Sequence, residues 1–567
     1  MRYLALACDY DGTLAHHGRV DDATVESLER LRASGRKLLM VTGRELDDLM
    51  RVFPRLELFD RVVAENGALV YDPGTREARP LGEAPPERFI LELERRDVWP
   101  LSTGRVIVAT WEPHDRAVLE VIRELGLELQ VIFNKGAVMV LPSGINKATG
   151  LREALDELAL STHNTVAIGD AENDHAFLAA CECGVAVANA LESVKARVDM
   201  VTARDHGAGV VELIDRLIAS DLAELNLLLT RHDLPIGITE SGTVNLAAYG
   251  RGILVAGPSG SGKTTVTTTL LEKLCGAGYQ FCLLDPEGDY HEFRGAIALR
   301  GSDSRALADE ALRVLERPSE NAVITLLDLR LEDRPPFLQT LLPRLLELRS
   351  ATARPHWIVI DEAHHLLPSK WQPSSTTLPQ QFTNAVLVTV HPDHVSTPAL
   401  RLVETIIVVG PEPQETLDAF ARGRGEPASR LPVHDDERQW AWLLRPEAPP
   451  VQFHVLPPAA ERQRHRRKYA EGELSEDRSF YFRGPEARLN LRAQNLELFA
   501  QLADGVDDET WQYHLQRGDV SRWFRTAIKD ESLADEAAEI EARADLASAD
   551  SRARIRAAIE RRYTKSA

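Results

Sequence analysis

Asp9-Tyr10-Asp11-Gly12-Thr13-Leu14 comes directly after an apolar run, residues 4–8, that is typical of a short buried β-strand. Two carboxylates at the end of a strand suit phosphoryl chemistry, because one can attack phosphorus while the other carries a proton. We expect Asp9 to be the nucleophile. We expect Asp11 to be the general acid that protonates the leaving oxygen and then activates water. Taken alone, an Asp-x-Asp-Gly stretch is commonly just a turn.

Four residues further along the chain complete such a site. Thr42, in Val-Thr-Gly-Arg, can donate a hydrogen bond to a phosphoryl group, and Lys147, in Gly-Ile-Asn-Lys-Ala-Thr-Gly, supplies a positive charge. The run Gly-Asp-Ala-Glu-Asn-Asp at 169–174 adds carboxylates, which are ligands that Mg²⁺ prefers. We expect Mg²⁺ to be held by Asp9, Asp11 and Asp170, with Asp174 orienting the metal shell.

The rhythm of the sequence predicts several α/β regions. At 567 residues the chain exceeds the size of one hydrophobic core, so two or three domains are expected. Residues 1–220 alternate short apolar runs with helix-like segments, which is typical of a mostly parallel α/β sheet. The segment 84–143 breaks this alternation, and we expect an α/β insertion there that lies as a cap over the carboxyl ends of the core strands.

Together, these motifs resemble the haloacid dehalogenase (HAD) superfamily of phosphohydrolases over residues 1–220. The position of the insertion is similar to that of the cap in Cof-type and sugar-phosphatase members. The resemblance implies a Rossmann-like core and Mg²⁺-dependent hydrolysis of a small phosphorylated metabolite through an aspartyl-phosphate. Glu65-Asn66-Gly67-Ala68 resembles the loop that faces substrate in this family, although an Asn-Gly pair is first a turn signal.

The α/β alternation restarts at about residue 235. Short runs rich in β-branched residues predict the buried parallel strands of a second core. These runs are 253–256, 281–284, 322–327, 357–360, 385–390 and 405–409.

A second phosphate motif opens this half of the chain. Residues 257–264, Gly-Pro-Ser-Gly-Ser-Gly-Lys-Thr, match the Walker A spacing between a predicted strand and a predicted helix. Backbone N–H groups of such a loop wrap the phosphates of ATP, while Lys263 reaches the terminal phosphates and Thr264 ligates Mg²⁺. The expected ATP-binding residues are Gly257, Ser259, Gly260, Ser261, Gly262, Lys263, Thr264 and Thr265.

An acidic pair favours ATP hydrolysis. The run Trp357-Ile-Val-Ile-Asp361-Glu362 predicts a strand that delivers Asp361 to the Mg²⁺ shell and Glu362 to the attacking water. Thr389 or His391, at the end of a later strand, is a candidate sensor of the γ-phosphate.

The second half is similar to HerA/FtsK-type ATPases over residues 235–460, and 284–290 resembles a loop of that family. The resemblance implies a RecA-like core in a homo-oligomeric ring, a hexamer if HerA-like, with DNA as a partner. Arg422, Arg424 and Arg430 are candidate arginine fingers. The chain departs from the HerA pattern because it has no evident N-terminal β-barrel and only about 100 residues between the Walker motifs.

The remaining features predict a cytoplasmic protein. No apolar stretch approaches the roughly 20 residues that span a bilayer, and no signal peptide is evident. The net charge of −21 argues against non-specific nucleic-acid binding by the whole surface. The basic run 462–468 could touch phosphates or form a solvated linker. Residues 470–567 predict a helical module whose aromatic residues form a core.

We therefore expect a bifunctional enzyme, a phosphatase fused to an ATPase. One alternative is a DNA-acting motor whose phosphatase fold processes nucleotides or DNA ends. Another is a P-loop that binds ATP only as a switch, although the intact Glu362 weighs against it.

Overall fold

The fold is that of a computed structural model. It describes residues 1–226, 228–370, 378–379, 382–432, 441–446, 448–459, 474, 479–528, 530–543 and 546–564. The chain divides into two compact units, Met1–Leu456 and Pro457–Ala567. The basic run predicted at 462–468 lies outside the described residues.

The first part of the larger unit is built on an eight-stranded sheet. Its six strands from Met200–Val201 to Arg61–Ala64 are parallel, and the last two are antiparallel. In the order in which they pair, the strands are Met200–Val201, Cys183–Ala186, Thr165–Gly169, Ala5–Cys8, Lys37–Val41, Arg61–Ala64, Leu69–Asp72 and Glu77–Pro80. The mostly parallel sheet expected from the sequence is confirmed.

Helices cover this sheet, and their apolar faces form one core with its strands. They are Asp22–Ala33, Leu46–Val52, Lys147–Glu157, His175–Ala180, Glu192–Lys195 and His206–Ser220. Two of them begin at capping residues that the sequence supplies: the Asp21 carboxylate accepts from the Thr24 N–H, and Asn146 forms a capping box with Thr149. The second cap fixes where Lys147 enters its helix.

The insertion between these elements forms a small α/β layer with its own core. Its antiparallel sheet pairs in the order Ser102–Thr103, Val108–Trp111, Ala137–Pro142 and Leu129–Asn134. The helices Glu87–Arg95 and Asp115–Glu124 pack against it. We refer to this layer as the cap.

The second part of the larger unit is an eleven-stranded sheet. In pairing order, its strands are Gly242–Leu246, Leu234–Thr239, Val451–Val455, Ala441–Leu444, Val403–Val409, Gly252–Ala256, Ala385–Thr389, Trp357–Ile360, Phe281–Asp285, Ala322–Thr325 and Ile297–Arg300. The last seven are parallel, and the first four pair antiparallel.

All six strands predicted in this half are present, with bounds shifted by one or two residues. The antiparallel edge and Ile297–Arg300 were not predicted. The helices are Lys263–Ala277, Ser304–Leu315, Arg334–Thr352, Ala363–Leu366, Thr397–Leu400 and Pro413–Arg424.

The two parts of the larger unit are in direct contact. His163 of the first part lies 2.7 Å from the Ala277 carbonyl oxygen at the end of the helix Lys263–Ala277. The Tyr279 hydroxyl donates to the Glu182 carboxylate at 2.6 Å. A cavity of about 360 Å³ opens beside these residues.

The smaller unit combines a two-stranded antiparallel sheet with helices. The strands are Phe480–Phe482 and Leu491–Ala493, and the helices are Leu496–Gly505, Asp508–Gln516, Asp519–Trp523, Glu531–Glu541 and Ser548–Ile559. Its core is aromatic, with Phe480, Phe499, Trp511 and Phe524 buried, so the expectation that these aromatic residues pack as core is confirmed.

Among the residues that the structure describes, none of the helices combines the length and the apolar character needed to cross a membrane.

Candidate functional site

The carboxylates of the first site meet because their strands are neighbours. Ala5–Cys8 pairs in parallel with Thr165–Gly169, and Cys8 lies opposite Ile168. Asp9 and Asp170 therefore leave the sheet at the same edge. Ligand oxygens of Asp9, Asp170 and Asp174 lie within 4.8 Å of one another, and all three residues are buried.

Lys147 balances this negative charge from the first turn of its helix. Its Nζ lies 2.6 Å from Asp9 Oδ1 and 2.6 Å from Asp174 Oδ1, and its side chain is 1% exposed. Burial lowers the pKa of Lys147, but the carboxylates of Asp174 and Asp9 outweigh burial, so the net pKa lies above its ordinary value. The lysine therefore stays charged.

Asp174 holds the loop that carries Asp170. Its Oδ2 accepts the backbone N–H groups of Asp170, at 2.8 Å, and Ala171, at 2.9 Å. Its other oxygen accepts from Lys147, so both oxygens are engaged. Burial, followed by repulsion from Asp174, raises the pKa of Asp9 well above its ordinary value, while Lys147 opposes the rise.

Asp11 is held apart from the cluster of three carboxylates. Arg44 donates two hydrogen bonds to its carboxylate, from Nε at 2.6 Å and from Nη2 at 2.7 Å. Gly12, the residue after Asp11, has φ +88°, and a Cβ there would lie 2.3 Å from Asp170 Oδ2. Thr42 is buried beside Arg44, whose backbone N–H donates to the Thr42 hydroxyl oxygen at 3.1 Å.

In the second site, the Walker residues lie at the carboxyl edge of the other sheet. The loop after Gly252–Ala256 turns at Gly260 and Gly262, with φ +75° and +103°, and leads into the helix Lys263–Ala277. Lys263 is buried, and its Nζ donates to the Pro258 carbonyl oxygen at 2.9 Å. Burial lowers the pKa of Lys263.

The other Walker-loop positions differ in exposure. Gly257 is buried; Ser259 and Gly260 are exposed; Ser261, Gly262, Thr264 and Thr265 are half-buried.

The acidic pair approaches this loop from a strand two positions away. Trp357–Ile360 is separated from Gly252–Ala256 by Ala385–Thr389. Asp361 is buried, and burial followed by repulsion from Glu362 raises its pKa well above the ordinary value. His364 Nδ1 lies 3.3 Å from Glu362 Oε2 and 3.0 Å from the Thr389 hydroxyl. The candidate sensor Thr389 is thus linked to Glu362 through His364.

Two family models match the chain. Residues 6–81 and 105–214 match the haloacid dehalogenase-like hydrolases, and residues 244–388 match the AAA ATPase domain. The phosphoglycolate phosphatase of Haloarcula marismortui is 31% identical over 217 residues, which are 37% of this chain and 95% of the relative. That of Methanothermobacter thermautotrophicus is 29% identical over 223 residues, 38% of this chain and 98% of the relative.

The chain belongs to the haloacid dehalogenase-like hydrolase family. It is a hydrolase in which a HAD phosphatase is followed by an AAA-type ATPase domain. Among solved structures, a haloacid dehalogenase-like hydrolase from Bacteroides thetaiotaomicron is 21% identical and covers 38% of this chain and 99% of its own, with a TM-score of 0.33.

Three residues of the HAD phosphatase site have contacts that were not predicted from the sequence. Arg44 holds Asp11, Lys135 of the cap lies 2.6 Å from Asp170 Oδ2, and the Glu65 carboxylate accepts three backbone N–H groups of the cap, from residues 105–107, at 2.7–3.0 Å. Glu65-Asn66-Gly67-Ala68 thus includes the anchor of the cap. In the sequence, the signal for Arg44 was its position two residues after Thr42. The signal for Lys135 was the Lys-Gly pair, which favours a hairpin turn.

The candidate arginine fingers differ in their surroundings. Arg422 is exposed and pairs with Asp393 at 3.2 Å. Arg424 donates to the Val403 carbonyl oxygen at 3.2 Å, and Arg430 is exposed. Their role between subunits stays a prediction.

Proposed function

We propose that this chain is a bifunctional enzyme whose HAD site hydrolyses a small phosphorylated acid with Mg²⁺, while its P-loop site hydrolyses ATP. The observation that carries the phosphatase proposal is Lys147, which bridges Asp9 and Asp174 beside Asp170 at one buried edge of the sheet. A buried lysine shared by two carboxylates favours the ionised form of the nucleophile, against burial and the neighbouring carboxylates, and leaves a positive charge for the phosphoryl oxygens.

The chemistry begins at Asp9. Its carboxylate attacks phosphorus, the bond from phosphorus to the ester oxygen breaks, and Asp11 gives its proton to that leaving oxygen. Asp11 then removes a proton from water, which attacks the aspartyl-phosphate, so that phosphate leaves and Asp9 is regenerated. Thr42 and Lys147 stabilise the transferring group through a hydrogen bond and a positive charge.

The residues present fit Mg²⁺. A cluster of buried carboxylates offers the hard oxygen ligands that this ion prefers, and repulsion between Asp9 and Asp174 supports the binding of a further cation. Asp9 and Asp170 would hold the ion, whereas the carboxylate of Asp11, which was predicted as a further ligand, is paired with Arg44 outside this cluster. Asp174 orients the loop of Asp170, since both of its oxygens already accept hydrogen bonds. When bound, Mg²⁺ supplies positive charge that offsets repulsion between the carboxylate and the phosphate.

The substrate class follows from the relatives. Phosphoglycolate phosphatases align over almost their whole length with this part of the chain. We infer that 2-phosphoglycolate, or a similarly small phosphorylated acid, is the substrate.

The test of the phosphatase is phosphate release from 2-phosphoglycolate with Mg²⁺ and with a chelator. Wild type should turn over only with Mg²⁺, and Asp9→Asn should be inactive. The matched control is Asp22→Asn, an exposed position on the helix Asp22–Ala33, which should match wild type. Turnover by Asp9→Asn equal to that of wild type would refute the nucleophile assignment.

For the second site we propose ATP hydrolysis, with Thr264 and Asp361 holding Mg²⁺ and Glu362 orienting the attacking water. The buried Asp361 and the half-buried Glu362 beside Lys263 support hydrolysis rather than binding alone, because desolvation raises the pKa of Glu362 towards that of an effective base. Kinship with HerA/FtsK-type ATPases and assembly into a ring are part of this proposal.

ATP turnover should be measured with and without single- and double-stranded DNA. Glu362→Gln should bind ATP but not hydrolyse it, with Glu332→Gln, an exposed side chain, as the control. Stimulation by DNA would establish the motor alternative. Steady turnover without DNA would exclude that alternative, and ATP binding without turnover in wild type would leave only the switch.

A further inference from the structure

A positively charged side chain of the cap, Lys135, contacts the phosphatase site. Lys135 lies at the tip of the hairpin between the strands Leu129–Asn134 and Ala137–Pro142. Lys135 and Gly136 both have positive φ, +46° and +85°, as a tight two-residue hairpin turn requires. The turn fixes the direction of the lysine, and its Nζ reaches Asp170 Oδ2 at 2.6 Å.

This ion pair competes with the proposed metal. Asp170 is 1% exposed and belongs to the carboxylate cluster, whereas Lys135 is 47% exposed. A divalent ion on Asp170 repels the ammonium group of Lys135. With the metal bound, Lys135 therefore needs another anion within reach of the cap tip.

Three polar atoms without partners in the described part of the chain lie in Asn134, beside Lys135, and in two other asparagines, one of them on the turn that the strand Leu129–Asn134 contacts. Asn173 donates to the Asn66 amide oxygen at 2.9 Å, which leaves Asn66 Nδ2 and Asn173 Oδ1 buried and without hydrogen-bond partners among the described residues. Asn134, the neighbour of Lys135, has a buried amide oxygen that likewise has no hydrogen-bond partner among the described residues. Buried polar groups of this kind are normally satisfied by water or ligand. They favour a polar leaving group over an apolar one.

We propose that Lys135 is a specificity-determining residue, which leaves Asp170 and binds the carboxylate of the leaving acid. This inference rests on the proposed function and deepens it, because it selects phosphate esters of short carboxylic acids. The acid must be short because Lys135 lies 2.6 Å from Asp170, which has an oxygen within 4.8 Å of one on Asp9. A carboxylate separated from the ester oxygen by one methylene group, as in 2-phosphoglycolate, fits that spacing.

The test compares two substrates that differ only in this group, 2-phosphoglycolate and ethyl phosphate. Wild type should prefer 2-phosphoglycolate in kcat/KM. Lys135→Met should lose roughly ten- to hundredfold on 2-phosphoglycolate, the size of a charge-assisted hydrogen bond, and should thereby lose the preference over ethyl phosphate. Lys135→Arg should recover part of the preference.

The matched control is Arg105→Met, which removes another positively charged side chain of the cap. The Arg105 side chain is 48% exposed, and its Nη2 lies 3.7 Å from Asp47 Oδ1. It should keep the preference for 2-phosphoglycolate. An equal loss on both substrates in Lys135→Met, or no loss on either, would overturn the proposal.

Calorimetric titration with Mg²⁺ alone gives a readout independent of turnover. Because Lys135→Met removes a competing cation, it should bind Mg²⁺ about two- to fivefold more tightly than wild type, as expected for a half-exposed ion pair. Unchanged or weaker binding would contradict the competition at Asp170.

The two failures are distinguishable. Hydrolysis of both esters without preference by wild type would overturn the role of Lys135 and leave the phosphatase standing. Hydrolysis of neither ester would refute the proposed function itself.

Discussion

At the residue scale, Lys147 sets the charge balance of the phosphatase site. It is 1% exposed and contacts two carboxylates, so three charges share one buried space. A buried charge is tolerated only when it is paired, and removal of one partner leaves the others uncompensated. Sequence reasoning predicted the role of Lys147 but missed that of Lys135. Lys147 follows a capping residue in a recognisable motif, whereas the contact of Lys135 depends on how the cap lies over the core.

Lys147→Met should therefore abolish phosphatase turnover and lower the free energy of unfolding by about 3–5 kcal/mol. Mg²⁺ should restore more stability to this variant than to wild type, because it is then the available counter-charge for Asp9. Thermal unfolding with and without Mg²⁺ measures both effects. Lys195→Met, which removes a surface pair with Glu192, is the control; if Lys147→Met were as stable as this control, the charge argument would fail.

At the element scale, the short 3-10 turn Glu65–Gly67 anchors the cap. The Glu65 carboxylate is 1% exposed and accepts the N–H groups of Arg105, Val106 and Ile107. A buried carboxylate with several backbone donors is a strong local tie, since each lost acceptor leaves a buried donor unsatisfied. The cap is thus fixed at its base by Glu65, while Lys135 lies at its tip.

Glu65→Ala should loosen the cap without unfolding the core. We expect a loss of about 1–3 kcal/mol, faster proteolysis within residues 84–143, and a higher KM for substrate. Limited proteolysis followed by mass spectrometry identifies the first cut. Glu77→Ala, on the exposed strand Glu77–Pro80, should behave like wild type. A first cut outside the cap in Glu65→Ala would argue against the anchor.

The elements also show how far the sequence could predict the fold. Runs such as Trp357–Ile360 were predictable because buried parallel strands are continuously apolar. Leu234–Thr239 was missed because Pro235 and Gly237 interrupt its pattern, and its partner Val451–Val455 lies more than 200 residues away. Leu491 falls in the segment 470–567 that was predicted to be helical, but it lies in a strand and is 40% exposed. Residue spacing alone does not show pairing between distant segments.

At the scale of the larger unit, the phosphatase and ATPase parts share a buried polar contact. His356 receives the Gln280 N–H on Nδ1 at 2.8 Å, and its Nε2 lies 3.0 Å from Asn164 Oδ1 of the phosphatase part. The neutral ring, which accepts at one nitrogen and donates at the other, satisfies both contacts. The two parts of the larger unit are therefore docked through this contact.

This contact should make stability depend on pH. Burial, followed by the nearby His163, lowers the pKa of His356 well below its ordinary value. Below pH 6.5 the His356 ring is protonated in the unfolded chain but stays neutral in the folded chain. The free energy of unfolding therefore falls by up to about 1.4 kcal/mol per pH unit as the pH is lowered. His356→Gln should reduce this slope between pH 6.5 and 5. Thermal unfolding at each pH measures it.

The control for that series is His291→Gln, whose side chain is 66% exposed. It should keep the slope of wild type. Identical slopes in wild type and His356→Gln would contradict the role of His356, whatever the absolute stability of the variant.

The central claim is that one chain carries two independent hydrolytic sites. The most direct measurement is phosphate release from 2-phosphoglycolate and from ATP by the same preparations of wild type, Asp9→Asn and Lys263→Ala. We expect Asp9→Asn to lose ester hydrolysis and keep ATP turnover, and Lys263→Ala to do the reverse. Loss of both activities in either variant, with its fold intact by circular dichroism, would contradict the claim.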